Sequence, residues 1–240
     1  MNLWDKKAKN YARFSLTLNT IQKQSFEEFQ KLGLDFKDKS VIDIGCGTGV
    51  WTLHLAHEAK NLLALDNSKA MLAILQEDAS KLGLGNIKSV NLSFEDFIKE
   101  NANSHFDIAF LSMSPALQNE NDYKHFLNLA QKKIYLAWAD LRKSDFLDPI
   151  FKHFNTEFKG FYKQDFESFL LENDIDFHKV IFEERRVVKR TREEAIENAL
   201  WHLHMNGINA KKCELESLIL GDVREKIVAK IKLIILGQKA

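Results

Sequence analysis

The segment VIDIGCGTG at residues 41–49 is the feature that most constrains the fold of this chain. A short apolar run ends in three glycines, and apolar residues at helical spacing follow immediately. The pattern predicts a buried strand, a tight turn and a helix in direct succession. At the carboxyl end of a strand in an open α/β sheet, such a turn brings backbone N–H groups close to a ligand.

Strands and helices are predicted to alternate from residue 40 to about residue 140. This alternation is typical of βαβ units in a doubly wound, Rossmann-like α/β sheet. A long leading helix is predicted for residues 5–33, where aromatic and aliphatic residues recur at roughly helical spacing. The predicted strands are residues 40–44, 61–65, 87–91, 106–112 and 133–138, and the helices between them are residues 50–59, 69–82 and 123–131.

The second half of the chain has a less regular pattern. We predict a helix over residues 164–173 and a long strand over residues 178–190. A helix then begins after Thr191, which forms a capping box with Glu194. A terminal helix and the strand at residues 231–237 complete the chain.

The spacing of the glycines discriminates among ligands. A Walker A loop needs a lysine that this turn lacks, and a dinucleotide fingerprint needs its third glycine at position 50, which is a valine. Asp43 precedes the turn, where a negative charge would repel a pyrophosphate but suit an ammonium group. Asp66 ends the second predicted strand, where a carboxylate can accept hydrogen bonds from both hydroxyls of a ribose.

Four segments together resemble the class I S-adenosylmethionine-dependent methyltransferases. VIDIGCGTG is similar to the first motif of that family, and LALD at residues 63–66, followed by SKAML, resembles its second segment. FEDF at residues 94–97 and FDIAFLSMS at residues 106–114 resemble the adenine-contacting segment and the fourth strand. The resemblance covers residues 36–140.

The resemblance implies the architecture of the family. We expect a seven-stranded, mostly parallel sheet with an antiparallel last strand, an N-terminal helical lid and a C-terminal helical insertion. The chain would form one domain over residues 1–240. Within it, residues 1–35 are the lid, residues 36–140 the cofactor-binding half, and residues 141–240 the substrate-side half.

The resemblance also implies S-adenosylmethionine as the cofactor and a set of residues around it. Asp43 would contribute to the surroundings of the amino group, and Asp66 would bind the ribose. For the adenine amine the sequence offers Glu95 or Asp96, with Asp96 preferred. The full set of expected cofactor-binding residues is Asp43, Gly45, Cys46, Gly47, Gly49, Asp66, Asn67, Ser93, Phe94, Glu95, Asp96 and Ser112.

The methyl acceptor is expected to be a small molecule that is methylated on oxygen or nitrogen. After the fourth strand the chain reads SMSPA, which departs from the Pro-Pro-aromatic box of base and amide methyltransferases. Neither cysteine lies where carbon methylation of RNA needs one, and no acid partners Asp140, so we expect no metal. RNA or protein methylation and a non-catalytic S-adenosylmethionine-binding regulatory module are the alternatives. An NAD-binding oxidoreductase ranks last.

The sequence offers candidates for contact with the substrate but no assigned catalytic residue. Tyr11, in the leading segment, would cover the cofactor. His202 and His204 lie in the insertion and could act as a base, since histidine titrates near neutral pH. Aromatic residues that could line an apolar substrate cavity are Phe161, Tyr162, Phe166 and Phe169.

Composition narrows the partners and the compartment. The 34 basic residues balance the 34 acidic ones, which gives no general attraction to nucleic acid. No apolar run is long enough to span a bilayer, and no secretory signal begins the chain. Two cysteines far apart favour a cytoplasmic location with reduced thiols.

Overall fold

The computed structural model describes residues 3–159 and 166–237. The helices are α1 (Leu3–Lys7), α2 (Thr20–Lys31), α3 (Thr52–Ala56), α4 (Lys69–Lys81), α5 (Phe94–Glu100), α6 (Glu120–Asn128), α7 (Leu147–His153), α8 (Phe166–Glu172), α9 (Arg192–Met205) and α10 (Lys212–Leu218). The strands are β1 (Ser40–Ile44), β2 (Asn61–Leu65), β3 (Ile87–Val90), β4 (Phe106–Ser112), β5 (Ala130–Trp138), β6 (Lys143–Ser144), β7 (His178–Arg190) and β8 (Val223–Leu236).

These elements divide into two compact units. The first contains the described residues within 1–137, 163–180 and 232–240, and the second those within 138–162 and 181–231. The expected halves within one domain stay a prediction. The division between the compact units begins after residue 137. It is not a single cut, because α8 and the end of β8 belong to the first unit.

The first unit is built on a parallel sheet with the strand order β3-β2-β1-β4-β5. The end of β8 continues this order beside β5. β1 lies between β2 and β4, with Asp43 opposite Ala64 on one side and Phe110 on the other. Strands covered on both faces must be apolar throughout, which explains the nearly uninterrupted apolar runs of β1 and β4.

Helices pack on this sheet through an apolar core. Phe126 and Leu170 are fully buried there, and the ring of Phe166 lies 5.6 Å from that of Phe126 and 4.9 Å from that of Tyr135. Edge and tilted ring contacts of this kind add to the free energy gained from burial. Phe166 and Phe169, which we considered for a substrate cavity, are core residues.

The second unit has its own apolar core, formed by α7, α9 and α10. β8 pairs antiparallel with β6 and also pairs with β7. Glu225 is fully buried on β8, where it accepts a 2.5 Å hydrogen bond from the Ser144 hydroxyl and pairs with Arg190. A buried carboxylate needs such partners, because an unpaired charge in an apolar interior is very costly.

The doubly wound, mostly parallel sheet with an antiparallel last strand confirms the expected fold class. The described residues contain eight strands rather than seven, since the two-residue β6 was not expected. β1, β2, β4 and β7 have the predicted bounds, and α9 begins after Thr191 with the predicted capping box.

The single leading helix predicted for residues 5–33 is wrong. α1 and a short 3₁₀ turn at Ala8–Asn10 end at Tyr11, whose backbone is extended, and α2 begins only after Asn19. The Asn19 side chain accepts a 2.9 Å hydrogen bond from Gln22 N–H, and Gln22 Oε1 accepts a 3.0 Å bond from Asn19 N–H. This capping box outweighs the helical spacing of the aromatic residues before it.

No helix among residues 3–159 and 166–237 combines the length and apolar character needed to cross a membrane.

Adjacent leucines on α8 offer a matched test of the first unit's core. Leu170 is fully buried, whereas Leu171 is 63% exposed. We expect Leu170→Ala to lower the free energy of unfolding by about 2–5 kcal/mol, because it removes buried apolar volume and leaves a cavity. Leu171→Ala should change it by no more than about 0.5 kcal/mol. Urea unfolding of both variants measures the difference, and equal losses would contradict the assigned burial.

Candidate active site

The glycine turn after β1 is fastened to the end of β2. The N–H groups of Gly45 and Cys46 both donate to the carbonyl oxygen of Leu65, over 2.7 Å and 3.1 Å. Gly45 has a φ of 70°, and a Cβ there would lie 1.9 Å from the Ser114 hydroxyl oxygen. The turn therefore needs glycine at this position, because only glycine permits both the backbone angle and the close approach.

Asp66, the residue after β2, is hydrogen-bonded to the turn. Its Oδ2 accepts a 2.8 Å bond from Gly47 N–H and its Oδ1 a 2.8 Å bond from Ser68 N–H. Burial raises the pKa of Asp66 above its ordinary value, although these two bonds act in the opposite direction. Each oxygen has a second lone pair, so the carboxylate can still accept hydrogen bonds from a ligand.

Asp43 lies beneath the turn, with 2% of its surface exposed. Its Oδ2 accepts a 2.6 Å hydrogen bond from the hydroxyl of Thr52. Burial raises the pKa of Asp43 to about 7, opposed by the Thr52 bond and reinforced by the nearby charge of Asp66. Asp43 is therefore a titrating group near neutral pH and not the permanently charged one that the sequence suggested.

A cavity of about 320 Å³ opens in front of the turn, within the first unit. The segments that border it are the N-terminal segment, the turn, the end of β2 with the start of α4, the start of α5, and the loop between β4 and α6 with the first turn of α6. The lining residues are Trp4, Tyr11, Ile44, Gly45, Gly47, Leu65, Asp66, Asn67, Met71, Leu92, Ser93, Phe94, Glu95, Ser112, Met113, Ser114, Pro115, Ala116, Gln118, Asn119 and Asp122.

The N-terminal segment is attached to the rim of this cavity by side chains. Asp5 Oδ1 accepts hydrogen bonds from the Ser68 hydroxyl, at 2.7 Å, and from Ala70 N–H, at 3.2 Å. The Thr48 hydroxyl donates a 2.5 Å bond to the carbonyl oxygen of Ala12. Because both ends of the segment are attached, Trp4 and Tyr11 lie at the cavity with their rings edge to face, 6.3 Å apart.

Most of the expected cofactor-binding residues border the cavity. Those on its lining are Gly45, Gly47, Asp66, Asn67, Ser93, Phe94, Glu95 and Ser112, together with the lid candidate Tyr11. Asp43, Cys46 and Gly49 are not on the lining and support the turn from behind. At Gly49, for example, a Cβ would lie 2.9 Å from the side chain of Leu75, so this glycine allows α4 to pack closely.

Asp96, which the sequence favoured over Glu95, is also absent from the lining. Its Oδ2 accepts a 2.6 Å hydrogen bond from the hydroxyl of Ser93, the residue that caps α5. Glu95 borders the cavity and forms a 2.7 Å ion pair with Lys99 on the same helix. The geometry therefore favours Glu95 for contact with a ligand.

The two candidate histidines lie on α9 in the second unit, and neither is on the cavity lining. His204 Nε2 lies 3.0 Å from the carbonyl oxygen of Ala210, and His202 Nε2 lies 3.4 Å from a guanidinium nitrogen of Arg142. Both contacts lie within the second unit. Phe161 and Tyr162 lie outside the described residues.

Sequence reasoning missed the loop between β4 and α6. Gln118, Asn119 and Asp122 all border the cavity from this loop and the first turn of α6. The signal that could have found them is Asn119, which caps α6 by accepting hydrogen bonds from the N–H groups of Asn121 and Asp122. We predicted that helix to begin at residue 123, and it begins at residue 120.

The charged residues of the lining all carry the same sign. Asp66, Glu95 and Asp122 are acidic, and the described lining contains no lysine, arginine or histidine. The cavity therefore suits a neutral or cationic ligand. An anion would be repelled by these carboxylates, and the repulsion is stronger in a site of low dielectric constant than in water.

A parallel α/β sheet with a glycine turn after β1, bonded to the acid that follows β2, is typical of the Rossmann-like folds that bind nucleotides. Residues 41–133 match the family model described as a methyltransferase domain. This segment contains all four motifs described above, and it is similar to a methyltransferase domain.

One relative matches a large part of this chain. An uncharacterised protein of Haemophilus influenzae is 30% identical over 162 residues, which are 66% of this chain and 57% of that protein. The match thus spans less than two thirds of the length of that relative.

Solved structures share the fold at low sequence identity. A proposed methyltransferase from Bacillus halodurans is 13% identical, with a TM-score of 0.54 over 88% of this chain and 97% of that one. The YcgJ protein from Bacillus subtilis is 13% identical, with a TM-score of 0.52 over 88% and 98%. A proposed type II methyltransferase from Anaeromyxobacter dehalogenans is 14% identical, with a TM-score of 0.52 over 88% and 94%.

The raised pKa of Asp43 predicts a pH-dependent stability. The pKa rises from the ordinary 3.8 to about 7, so folding takes up a proton between these values. The contribution of protonated Asp43 to the free energy of unfolding is fully present below about pH 4. It is lost progressively as the pH rises toward 7, where the buried carboxyl group ionises. Asp43→Asn should remove this pH dependence, which amounts to on the order of a few kcal/mol in the free energy of unfolding over the whole range.

Urea unfolding of the ligand-free protein between pH 5 and pH 8 measures the effect. The exposed Asp176, as Asp176→Asn, is the control and should retain the wild-type slope. An Asp43→Asn protein with that same slope would contradict the assigned titration.

Proposed function

We propose that this chain is an S-adenosylmethionine-dependent methyltransferase that methylates a small molecule on oxygen or nitrogen. The observation that carries the proposal is Asp66, a mostly buried carboxylate that is bonded to the glycine turn and borders a cavity whose described lining contains no basic residue. A cytoplasmic location, favoured by the two widely separated cysteines, belongs to the same proposal.

The cavity suits this cofactor in shape and in charge. Gly47 has no side chain, and a Cβ there would meet only the ring of Tyr11, at 3.9 Å, which leaves room for the methionine part beside the turn. Asp66 has lone pairs available for the two ribose hydroxyls, and Leu92, Phe94 and Glu95 offer apolar surface and an acceptor for the adenine. Acidic lining is also compatible with the positive sulfonium, which a phosphate-binding site would not be.

S-adenosylmethionine, when bound, supplies a methyl group already activated by the sulfonium, so that transfer needs mainly alignment and a dry pocket. The residues of this chain would provide both. Trp4 and Tyr11 would cover the bound molecule and exclude water, since their segment is attached at Ser68 and Thr48. Ser112 and Met113, at the end of β4, would border the reacting groups.

The charge of the lining favours a small molecule over RNA as acceptor. RNA binding relies on lysine and arginine side chains that neutralise phosphates. The described lining has none, and its three carboxylates would repel a phosphate that approached the turn. The departure of SMSPA from the Pro-Pro-aromatic box agrees with this choice.

Loss of the Asp66 carboxylate tests cofactor binding directly. We expect Asp66→Ala to weaken the affinity for S-adenosylhomocysteine by about 1–3 kcal/mol, the range for leaving a hydrogen-bonded group without its partner. Isothermal titration calorimetry gives the dissociation constant, and a thermal melt checks folding. Asp176→Ala, an exposed change, should bind like the wild type. Wild-type affinity in Asp66→Ala would mean that the ribose is bound elsewhere.

The two neighbouring acids on α5 give a second test. Glu95→Gln should weaken binding of S-adenosylhomocysteine severalfold, because Glu95 borders the cavity. Asp96→Asn should leave it within about twofold, because Asp96 is turned toward Ser93 outside the lining. The same calorimetric titration compares them. The reverse order of effects would restore Asp96 as the adenine contact.

A further inference from the structure

Asp122 is a buried carboxylate at the cavity that the proposed cofactor contacts leave unused. It lies in the first turn of α6, with 7% of its surface exposed, and belongs to the lining. Burying a carboxylate is unfavourable unless hydrogen-bond donors or cations compensate it, so the partners of each oxygen have to be identified.

Among residues 3–159 and 166–237, hydrogen-bond donors reach only one of the two oxygens. Asp122 Oδ2 accepts a 2.8 Å hydrogen bond from Gln118 N–H and a 2.9 Å bond from the side-chain amide of Asn119. No described residue donates a hydrogen bond to Oδ1, and no lysine, arginine or histidine lies within 4.0 Å as an ion-pair partner among them. The loop thus orients the carboxylate through one oxygen and leaves the other for a ligand.

The loop that orients Asp122 lies against the glycine turn. A Cβ at Gly45 would be 1.9 Å from the Ser114 hydroxyl oxygen, so the residues after β4 approach the turn closely. In the proposed function, the turn, β2 and α5 contact the cofactor. The rest of the lining, from Met113 to Asp122, is then the part left for the methyl acceptor.

Charge narrows the chemistry of that acceptor. An acceptor with a carboxylate or phosphate would meet Asp66, Glu95 and Asp122 without a cation on the described lining. A group with N–H donors and a positive charge in its protonated form would instead complete the hydrogen bonding of Oδ1. Charge-assisted bonds of this type are stronger than bonds between neutral groups.

We infer that the methyl acceptor is an amine, bound through an N–H group to Oδ1 of Asp122. Its ammonium form would first release a proton to water, because only the neutral amine has a nitrogen lone pair. That lone pair would form the new N–C bond as the C–S bond of the sulfonium breaks, so that S-adenosylhomocysteine and the protonated N-methylamine are the products. This inference rests on the proposed function and narrows it from oxygen or nitrogen to nitrogen. Asp122 acts as the specificity-determining residue of the acceptor site, and Gln118 and Asn119 are positioning residues that act through it.

The first experiment compares ligands on the wild-type protein saturated with S-adenosylhomocysteine. The probes are 2-phenylethylamine, 2-phenylethanol and phenylacetate, and ethylamine, ethanol and acetate, which differ within each series only in the polar group. Ligand-observed NMR titration gives each affinity. We expect at least one amine to bind at least tenfold more tightly than its alcohol, and its carboxylate to bind more weakly still.

The second experiment changes Asp122 and a matched control on the same helix. In Asp122→Asn, the amide oxygen can accept the bonds from Gln118 and Asn119, so that an NH₂ group replaces Oδ1 at the cavity. The amine should then bind at least tenfold more weakly, with the affinity for S-adenosylhomocysteine within about twofold of wild type. Glu120→Gln removes the same charge from a side chain that is 73% exposed and should alter neither affinity.

The outcomes separate this inference from the proposed function. Failure of the wild type to bind S-adenosylhomocysteine would overturn the proposed function itself. Normal binding of S-adenosylhomocysteine with no amine bound, with tighter binding of an alcohol or carboxylate, or with full amine binding in Asp122→Asn would overturn only the role of Asp122. If Asp122→Asn fails to fold in a thermal melt, the ligand comparison on the wild type decides alone.

Discussion

The hydrogen bond from Gly47 N–H to Asp66 Oδ2, 2.8 Å long, is the contact on which the rest of the site depends. With the two N–H bonds to the Leu65 carbonyl, it fastens the turn after β1 to the end of the neighbouring parallel strand. Parallel strands end at the same edge of a sheet, so a side chain at the end of β2 can reach the turn after β1. The turn is thereby preorganised. A ligand that binds it loses little free energy to ordering of the backbone.

Sequence reasoning was most successful where local chemistry decides the structure. Residues 40–44, 61–65 and 106–112 are strands because both faces are covered, and the capping box at Thr191 starts α9. It failed at residues 11–19, where aromatic residues recur at helical spacing without forming a helix. Phe14 there packs on His54, with ring centroids 4.6 Å apart. A tertiary contact, and not a helical repeat, therefore explains why an aromatic residue stands at this position.

The candidate site was only partly predictable for a related reason. The motif residues of the turn and of the segment after β2 lie next to strand ends in the sequence. Their location at one edge of the sheet therefore follows from the predicted strands. The choice between Glu95 and Asp96 depends on which way the first turn of α5 faces, and the Ser93 cap settles that through its bond to Asp96. The position of Asp122 at the cavity depends on the irregular loop between β4 and α6 that precedes it. The sequence of this loop contains no periodic signal.

Asp43 and Asp66 connect the charge of the cavity to the stability of the sheet. Burial raises the pKa of both carboxyl groups, and the charge of Asp66 raises that of Asp43 further. A cationic ligand at the turn would act in the opposite direction, because it favours the charged form of each carboxylate. Binding and proton release are then linked, and the linkage is reciprocal: each proton lost from the pair increases the affinity for a cation, and an anion gains nothing from it. The burial that disfavours the charged form of these two acids therefore also favours a cationic ligand over an anionic one.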